Sequence, residues 1–220
     1  VMLFDWSFAL EILPILAQAA VITIEATLIG FVLALLLGLA LALARMSRNP
    51  FISFPAAGFI EFIRSTPLLI QIFFLYFVFP KFGIVLPALV AGILALGLHY
   101  STYCAEVYRA GLENVPRGQW EAATALNLAP MATFRDIILP QAIPPIIPAL
   151  ANYLVALFKE TPLLSAIAVL ELMQTAKIIG SDTFRYLEPI TLVGLFFLVM
   201  SLVSAALIRQ GEAWLRRRRS

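Results

Sequence analysis

The chain has 220 residues, 62% of them hydrophobic and only 13% charged, with a mean hydropathy of +0.96 and a net charge of +2. That length would allow one or two soluble domains, but soluble domains are less apolar, so one integral membrane domain over residues 1–220 is expected. A single cysteine, Cys104, and a single histidine, His99, exclude an internal disulfide and any multi-cysteine or multi-histidine metal site. No cofactor is expected.

In chain order, the opening Val1-Met2-Leu3-Phe4-Asp5-Trp6 lacks the positive region of a cleaved signal peptide, so the first hydrophobic helix is expected to remain as an anchor. About 20 mostly apolar residues are needed to cross the hydrocarbon as a helix. Five stretches qualify: 17–44, with Glu25 inside it; 56–79, bounded by Pro55 and Pro80; 87–108; 146–170; and 189–208. In lipid every backbone group must be satisfied within its own segment, so these are helices and the fold class is all-α. Gly30 and Gly38 on the first span, and Gly92 and Gly97 on the third, suit close helix packing.

Five spans put the two ends on opposite sides. Arg45, Arg48, Arg109, Arg117, Arg135, Arg209 and Arg216 to Arg219 fall on one side, against Lys81, Lys177 and Arg185 on the other. Lys and Arg concentrate on the cytoplasmic side, so the 109–145 loop and the C-terminus are expected inside and the N-terminus outside. The closing run of four arginines suits anionic lipid headgroups rather than nucleic acid.

Residues 118–141, GQWEAATALNLAPMATFRDIILPQ, form a polar segment between hydrophobic stretches. A segment of this kind must face water. A helix is predicted from Gln119 to about Leu128. Glu121 suits its first turns, while Ala122, Ala123 and Ala125 give high helix propensity with short side chains that can seat in a cleft. Pro130 ends it. Phe134, Ile137 and Ile138 recur at i, i+3, i+4 and predict a second short helix, stopped at Leu139-Pro140. Periodicity alone leaves two readings open: a surface hairpin packed on its own domain, or a docking element.

Ionisable groups inside a span default to functional hypotheses. Lys159 and Glu160 lie past the middle of the fourth span, followed by Thr161 and Pro162; the proline leaves the Phe158 carbonyl without its usual partner. They could form a zwitterion pocket, Lys159 for a carboxylate and Glu160 for a cationic nitrogen, or brace separate helices. On the third span His99, Thr102, Tyr103 and Glu106 share one helical face. Hydrogen bonding between helices is one use for that face, and Tyr100 and Tyr103 could instead offer π faces to a cation. Glu25 and Thr66 are further candidates. Arg64 is expected to pair with an acid such as Glu61 or Glu106.

Three segments, in this order, resemble the polar amino-acid permeases of bacterial ABC importers, the histidine/glutamine type with an EAA loop. Arg64-Ser65-Thr66-Pro67-Leu68-Leu69 resembles that family's R-x-T-P-L-L. Val115-Pro116-Arg117-Gly118-Gln119, Glu121-Ala122-Ala123 and Leu139-Pro140 resemble its loop, with Asn127 at the usual glycine. Lys159-Glu160-Thr161-Pro162-Leu163 resembles its K-[DE]-T-[SP]-L. Asparagine tolerates a left-handed turn, so the bend is expected to survive. The resemblance covers nearly the whole chain. Gly97-Leu98-His99-Tyr100-Ser101-Thr102-Tyr103 and Ala105-Glu106-Val107-Tyr108-Arg109 look most like the ectoine/hydroxyectoine permeases.

The resemblance implies a type I importer permease fold of the MetI-like kind in a bacterial inner membrane. It implies an ATPase subunit docked on Gly118, Gln119, Glu121, Ala122, Ala123, Asn127, Leu139 and Pro140. It also implies a second permease subunit (self or a related chain), an extracytoplasmic solute-binding protein, and a small polar or zwitterionic solute such as ectoine or a polar amino acid. The substrate path is then sought among Thr66, Tyr100, Tyr103, Glu106, Lys159, Glu160 and Thr161. No G-x-x-x-x-G-K-[ST] occurs, so energy must come from a partner. A membrane-embedded enzyme would need acid, base or metal ligands that one histidine and scattered carboxylates do not supply. A passive channel would have no use for a docking loop.

Overall fold

The computed structural model describes residues 4–217, with side chains described through residue 211. Its elements are α1 (Trp6–Arg45), α2 (Pro50–Arg64), α3 (Leu68–Phe73), α4 (Ala88–Glu113), α5 (Arg117–Ala125), α6 (Pro130–Ala132), α7 (Leu139–Glu160), α8 (Leu172–Thr183) and α9 (Leu187–Arg217). No strand occurs among the described residues. Four helices are long and apolar enough to span a bilayer: Trp6–Arg45, Ala88–Glu113, Pro130–Ile167 and Leu187–Gly211. A bent pair, Pro50–Arg64 and Leu68–Phe82, makes the fifth candidate.

Long aliphatic and alanine-rich stretches give these helices their apolar surfaces, and small residues decide which of them meet. Ala26 and Ala34 of α1 are buried with Ala91, Ala95 and Leu96 of α4. A Cβ added at Gly38 would stand 2.7 Å from Cys104 Cβ and 2.8 Å from the Ser101 carbonyl. Only glycine lets the two backbones approach so closely. Leu157 of α7 and Leu164 beyond it complete this core. A second cluster joins Ala9, Ile12 and Leu16 of α1 to Leu172 and Ala176 of α8 and to Leu192 and Val193 of α9. The remaining surface of α9 exposes Leu195, Leu198, Leu202 and Leu207, as contact with lipid or a partner helix requires.

The structure departs from the expected spans in three places. First, α1 begins at Trp6, not near 17. Its 40 residues extend about 60 Å, twice the hydrocarbon thickness. Asp5 caps the start, its carboxylate accepting from Ser7 N (2.9 Å) and Phe8 N (3.3 Å). Exposed Glu11 and Pro14 lower the apolar character of this stretch without stopping the helix.

Second, the stretch 56–79 is broken. Pro67 disfavours helix at Thr66, and the axes on either side differ by 102°. Beyond α3 the chain continues as a π turn, Phe74–Val78, and a 3-10 turn, Phe79–Phe82.

Third, Leu139-Pro140 does not stop the second loop helix. Residues run from α6 through a π turn, Thr133–Ile138, directly into α7. Pro140 sits in the first turn of α7, where a missing N–H costs little beside the widened turn. Pro144, Pro145 and Pro148 lie inside α7. The helix ends at Glu160 and passes into a 3-10 turn, Thr161–Ile167.

Arg218 and Arg219 of the closing arginine run lie outside the described residues, as do the side chains of Arg216 and Arg217.

Candidate functional site

Helix α5 projects from the end of the bundle at which α1 and α4 finish. It starts at Arg117, two residues earlier than expected, and ends at Ala125, three residues sooner. Asn127 lies at φ 52°. Leu128 N donates to Ala123 O (3.1 Å) and Asn127 N to Thr124 O (2.9 Å). This is the Schellman pattern of helix ending, with asparagine at the left-handed position usually held by glycine. Ala123 is buried, while Gly118, Gln119, Glu121 and Ala122 face outward. Gln141 of α7 donates to the Gln119 carboxamide oxygen (3.3 Å), tying the segment to its long helix. Phe134, Ile137 and Ile138 pack with Val115 and Ala142. Leu126 and Met131 are left 73% and 74% exposed beside half-exposed Trp120 and Leu128.

Above this end lies an ion-pair ladder. Arg45 of α1 stands 3.2 Å from Glu106, and Arg109 bonds both Glu106 (2.7 Å) and Glu113 (2.5 Å). Glu106 therefore braces α1 to α4 at the root of α5. Arg64 does not pair with Glu106 or Glu61; its guanidinium carbon sits 5.1 Å from the centre of the Tyr103 ring.

Tyr103 belongs to an aromatic cluster. Its ring lies 5.3 Å from His99, 5.9 Å from Tyr100 and 5.4 Å from Tyr153 of α7. Glu160 adjoins Tyr100, and its Oε2 is buried without a hydrogen-bond partner among the described residues. Arg64, Tyr103, Tyr100, Tyr153 and Glu160 thus form one continuous group drawn from α2, α4 and α7. Thr66 flanks it, donating to the Phe62 and Ile63 carbonyls at the broken helix end. Thr161 is buried, and its hydroxyl donates to Phe158 O at 2.8 Å. The carbonyl expected to be freed by Pro162 is satisfied in this way.

The structure separates Lys159 from Glu160. Lys159 lines a cleft with Asn152, Val155 and Ala205, opening toward α9 and Arg209. Neighbours on a helix point about 100° apart, and here the two charges face different elements. Glu25 is exposed on α1. Thr102 bonds the His99 carbonyl of its own helix (2.7 Å), whereas His99 reaches across to Gln71 of α3.

Gln71 and Tyr153 are the residues that sequence reading missed. Gln71 is neutral within an apolar run, and Tyr153 lies seven residues before Glu160. Two helical turns separate that pair, a spacing that puts both on one face. That pattern was the available signal.

Residues 30–217 match the family described as the binding-protein-dependent transport system inner membrane component. A probable amino-acid ABC transporter permease of Sinorhizobium fredii is 48% identical over 93% of this chain and 89% of its own length. The L-cystine transport system permease of Bacillus subtilis is 34% identical over 90% and 86%. A crystal structure of an amino acid ABC transporter with histidines superposes at a TM-score of 0.92, with 36% identity, covering 96% of this chain and 99% of that one. An inward-facing methionine ABC transporter superposes at 0.66 with 19% identity, a likeness of fold. With an all-helical bundle of up to five candidate spans among the described residues and an exposed segment at one end, this chain belongs to the binding-protein-dependent transport system inner membrane component family, the permease subunits of ABC importers.

Proposed function

We propose that this permease carries a polar amino acid, with α5 as the handle by which a separate ATPase subunit moves the bundle. The observation that carries the coupling reading is the end of α5. Leu126 and Met131 present exposed apolar side chains on a loop with no second layer among the described residues to cover them. A partner groove offers the cover they lack. Arg45, Arg48, Arg109, Arg117 and Arg135 at the same end favour a cytoplasmic location, with the N-terminus outside. Single cysteines test that orientation in a Cys104→Ser background. A membrane-impermeant maleimide that labels Thr124→Cys in intact cells would contradict it.

For the solute, the group from Arg64 to Glu160 supplies opposite charges around three tyrosine rings. Arg64 offers a carboxylate partner, Glu160 an ammonium partner, and Tyr100, Tyr103 and Tyr153 offer π faces. That arrangement fits a zwitterion without Lys159. The amino-acid names of the relatives support a polar amino acid. Ectoine, also a zwitterion and the solute suggested by the third span, is the competing substrate.

The importer is proposed to act with a solute-binding protein and a second permease copy or a related chain. Reconstituted with its ATPase and binding protein, it should accumulate L-glutamine, L-cystine or L-histidine in an ATP-dependent manner. Glu160→Gln should weaken half-saturation by about ten-fold, the worth of one charge-assisted bond, and Lys159→Met should leave it unchanged. Uptake of ectoine alone would overturn the amino-acid reading. Normal uptake by Glu160→Gln would overturn the site.

A further inference from the structure

The break between α2 and α3 leaves helix-end carbonyls inside the protein, and one side chain collects them. Gln71 Nε2 donates to Ile63 O (2.8 Å), Thr66 O (3.1 Å) and Thr66 Oγ1 (2.8 Å). Gln71 is 9% exposed and His99 7%. With its amide nitrogen facing two carbonyls, Gln71 has its oxygen left as an acceptor. That oxygen lies 3.3 Å from His99 Nδ1. The ring nitrogen must then carry a proton and donate, which fixes the His99 tautomer with the hydrogen on Nδ1.

Each end of this bond controls one partner of the Arg64–Tyr103 contact. On one side, Gln71 grips the carbonyls of Ile63 and Thr66, the residues that flank Arg64 and set where its backbone leaves α2. On the other, the His99 ring packs 5.3 Å from Tyr103 and 5.6 Å from Tyr100. A movement of α3 that stretched the bond would shift the guanidinium and the tyrosine faces relative to each other. We infer that the Gln71–His99 hydrogen bond is a positioning device. It ties the broken helix to the third span so that Arg64 and the tyrosine cluster hold the geometry that sets substrate affinity. The inference rests on the reading of that cluster as the solute site.

The test compares donors of equal placement. In His99→Asn, the amide nitrogen can stand where Nδ1 stands; His99→Leu keeps bulk and loses the donor. Equilibrium binding of radiolabelled L-glutamine, L-cystine and L-histidine is measured on the permease–ATPase complex in lipid nanodiscs. Saturated uptake is measured in the full importer. His99→Leu should raise the half-saturating concentration about ten-fold, as for a buried bond left unmade, while His99→Asn stays within about three-fold of the native complex. The saturated rate should change less than about two-fold, because a ground-state binding geometry is what is lost.

Gln71→Glu removes the donor to Ile63 and Thr66 and should behave as His99→Leu does. It carries the comparison should His99→Leu fail to assemble with the ATPase. Equal affinities for His99→Leu and His99→Asn, or losses confined to the saturated rate, would overturn the inference. Tyr153→Leu separates the two levels. If it weakens binding while His99→Leu does not, positioning alone fails. If neither Tyr153→Leu nor Glu160→Gln alters binding, the solute site fails and the inference with it.

Discussion

Arg64 changed partner between sequence and structure, and the change comes from geometry that a linear reading lacks. An arginine inside a span was expected to seek an acid. Glu106 is already engaged by Arg45 and Arg109, and the Arg64 guanidinium turns to Tyr103 instead. Lys159 and Glu160 were adjacent in sequence, and the helix turns them to different neighbours. Gln71 was illegible because an amide within an apolar run carries no charge to mark it. The same scale holds an ionic tie at the end opposite α5. Arg185 bonds both Asp5 (3.3 Å) and Glu188 (2.6 Å), and Glu188 also accepts from Asp5 N (3.0 Å). The Ser7 hydroxyl, then the Phe8 and Ser7 amides and Arg185, lower the Asp5 carboxyl from 3.8 to about 2. A depressed carboxylate contributes stability above its usual value and loses it as pH falls through the folded one. The first turn of α1 should therefore hold at neutral pH and loosen as pH drops from 3.8 toward 2. Hydrogen exchange at Ser7 and Phe8 reads this. Asp5→Asn should abolish the pH dependence, and unchanged exchange across that window would contradict the tie.

Elements were legible where hydropathy alone decides and illegible where a proline has two possible outcomes. The stretches 87–108 and 189–208 overlap α4 and α9. Pro67 breaks a helix and Pro140 does not, although both follow a leucine or threonine in an apolar context. The difference lies in what surrounds them. At Pro67 the side chain of Gln71 and the Thr66 hydroxyl take up the freed carbonyls, which permits a 102° bend. At Pro140 a π turn widens the preceding helix and lets it continue. Within the loop, the resemblance made the left-handed residue legible through its departure from glycine. Asn127→Gly should preserve the end of α5 and ATP-driven uptake. Asn127→Val should cost the helix end about 1–2 kcal/mol, because a β-branched residue resists φ near 52°. Lower uptake per ATP hydrolysed by the valine variant, with the glycine variant normal, is the expected readout. Equal behaviour of the two would mean that the turn does not shape the docking surface.

At the scale of the whole molecule, helices connect the group proposed for the solute with the segment proposed to dock. The group proposed for the solute lies on α2, α4 and α7; the segment proposed to dock lies between α4 and α7, with Glu106 and Arg109 bracing its root. Because α6, the π turn and α7 form one continuous helical path, the proposed coupling would carry a displacement of residues 130–138 to Tyr153 and Glu160. That continuity was not legible from the sequence, which stopped the loop helix at Leu139-Pro140. In the proposed coupling it would serve as the mechanical link that a flexible hairpin would not provide. Rocking of such a bundle about a midplane site is a common transporter solution. The most direct test is recovery of the ATPase subunit with the affinity-purified permease from membranes, comparing the native chain with Glu121→Lys. Glu121 is exposed on α5 and makes no side-chain hydrogen bond or ion pair among the described residues, so membrane insertion should be unchanged and the ATPase should be lost. Undiminished recovery of the ATPase with Glu121→Lys would contradict docking through α5.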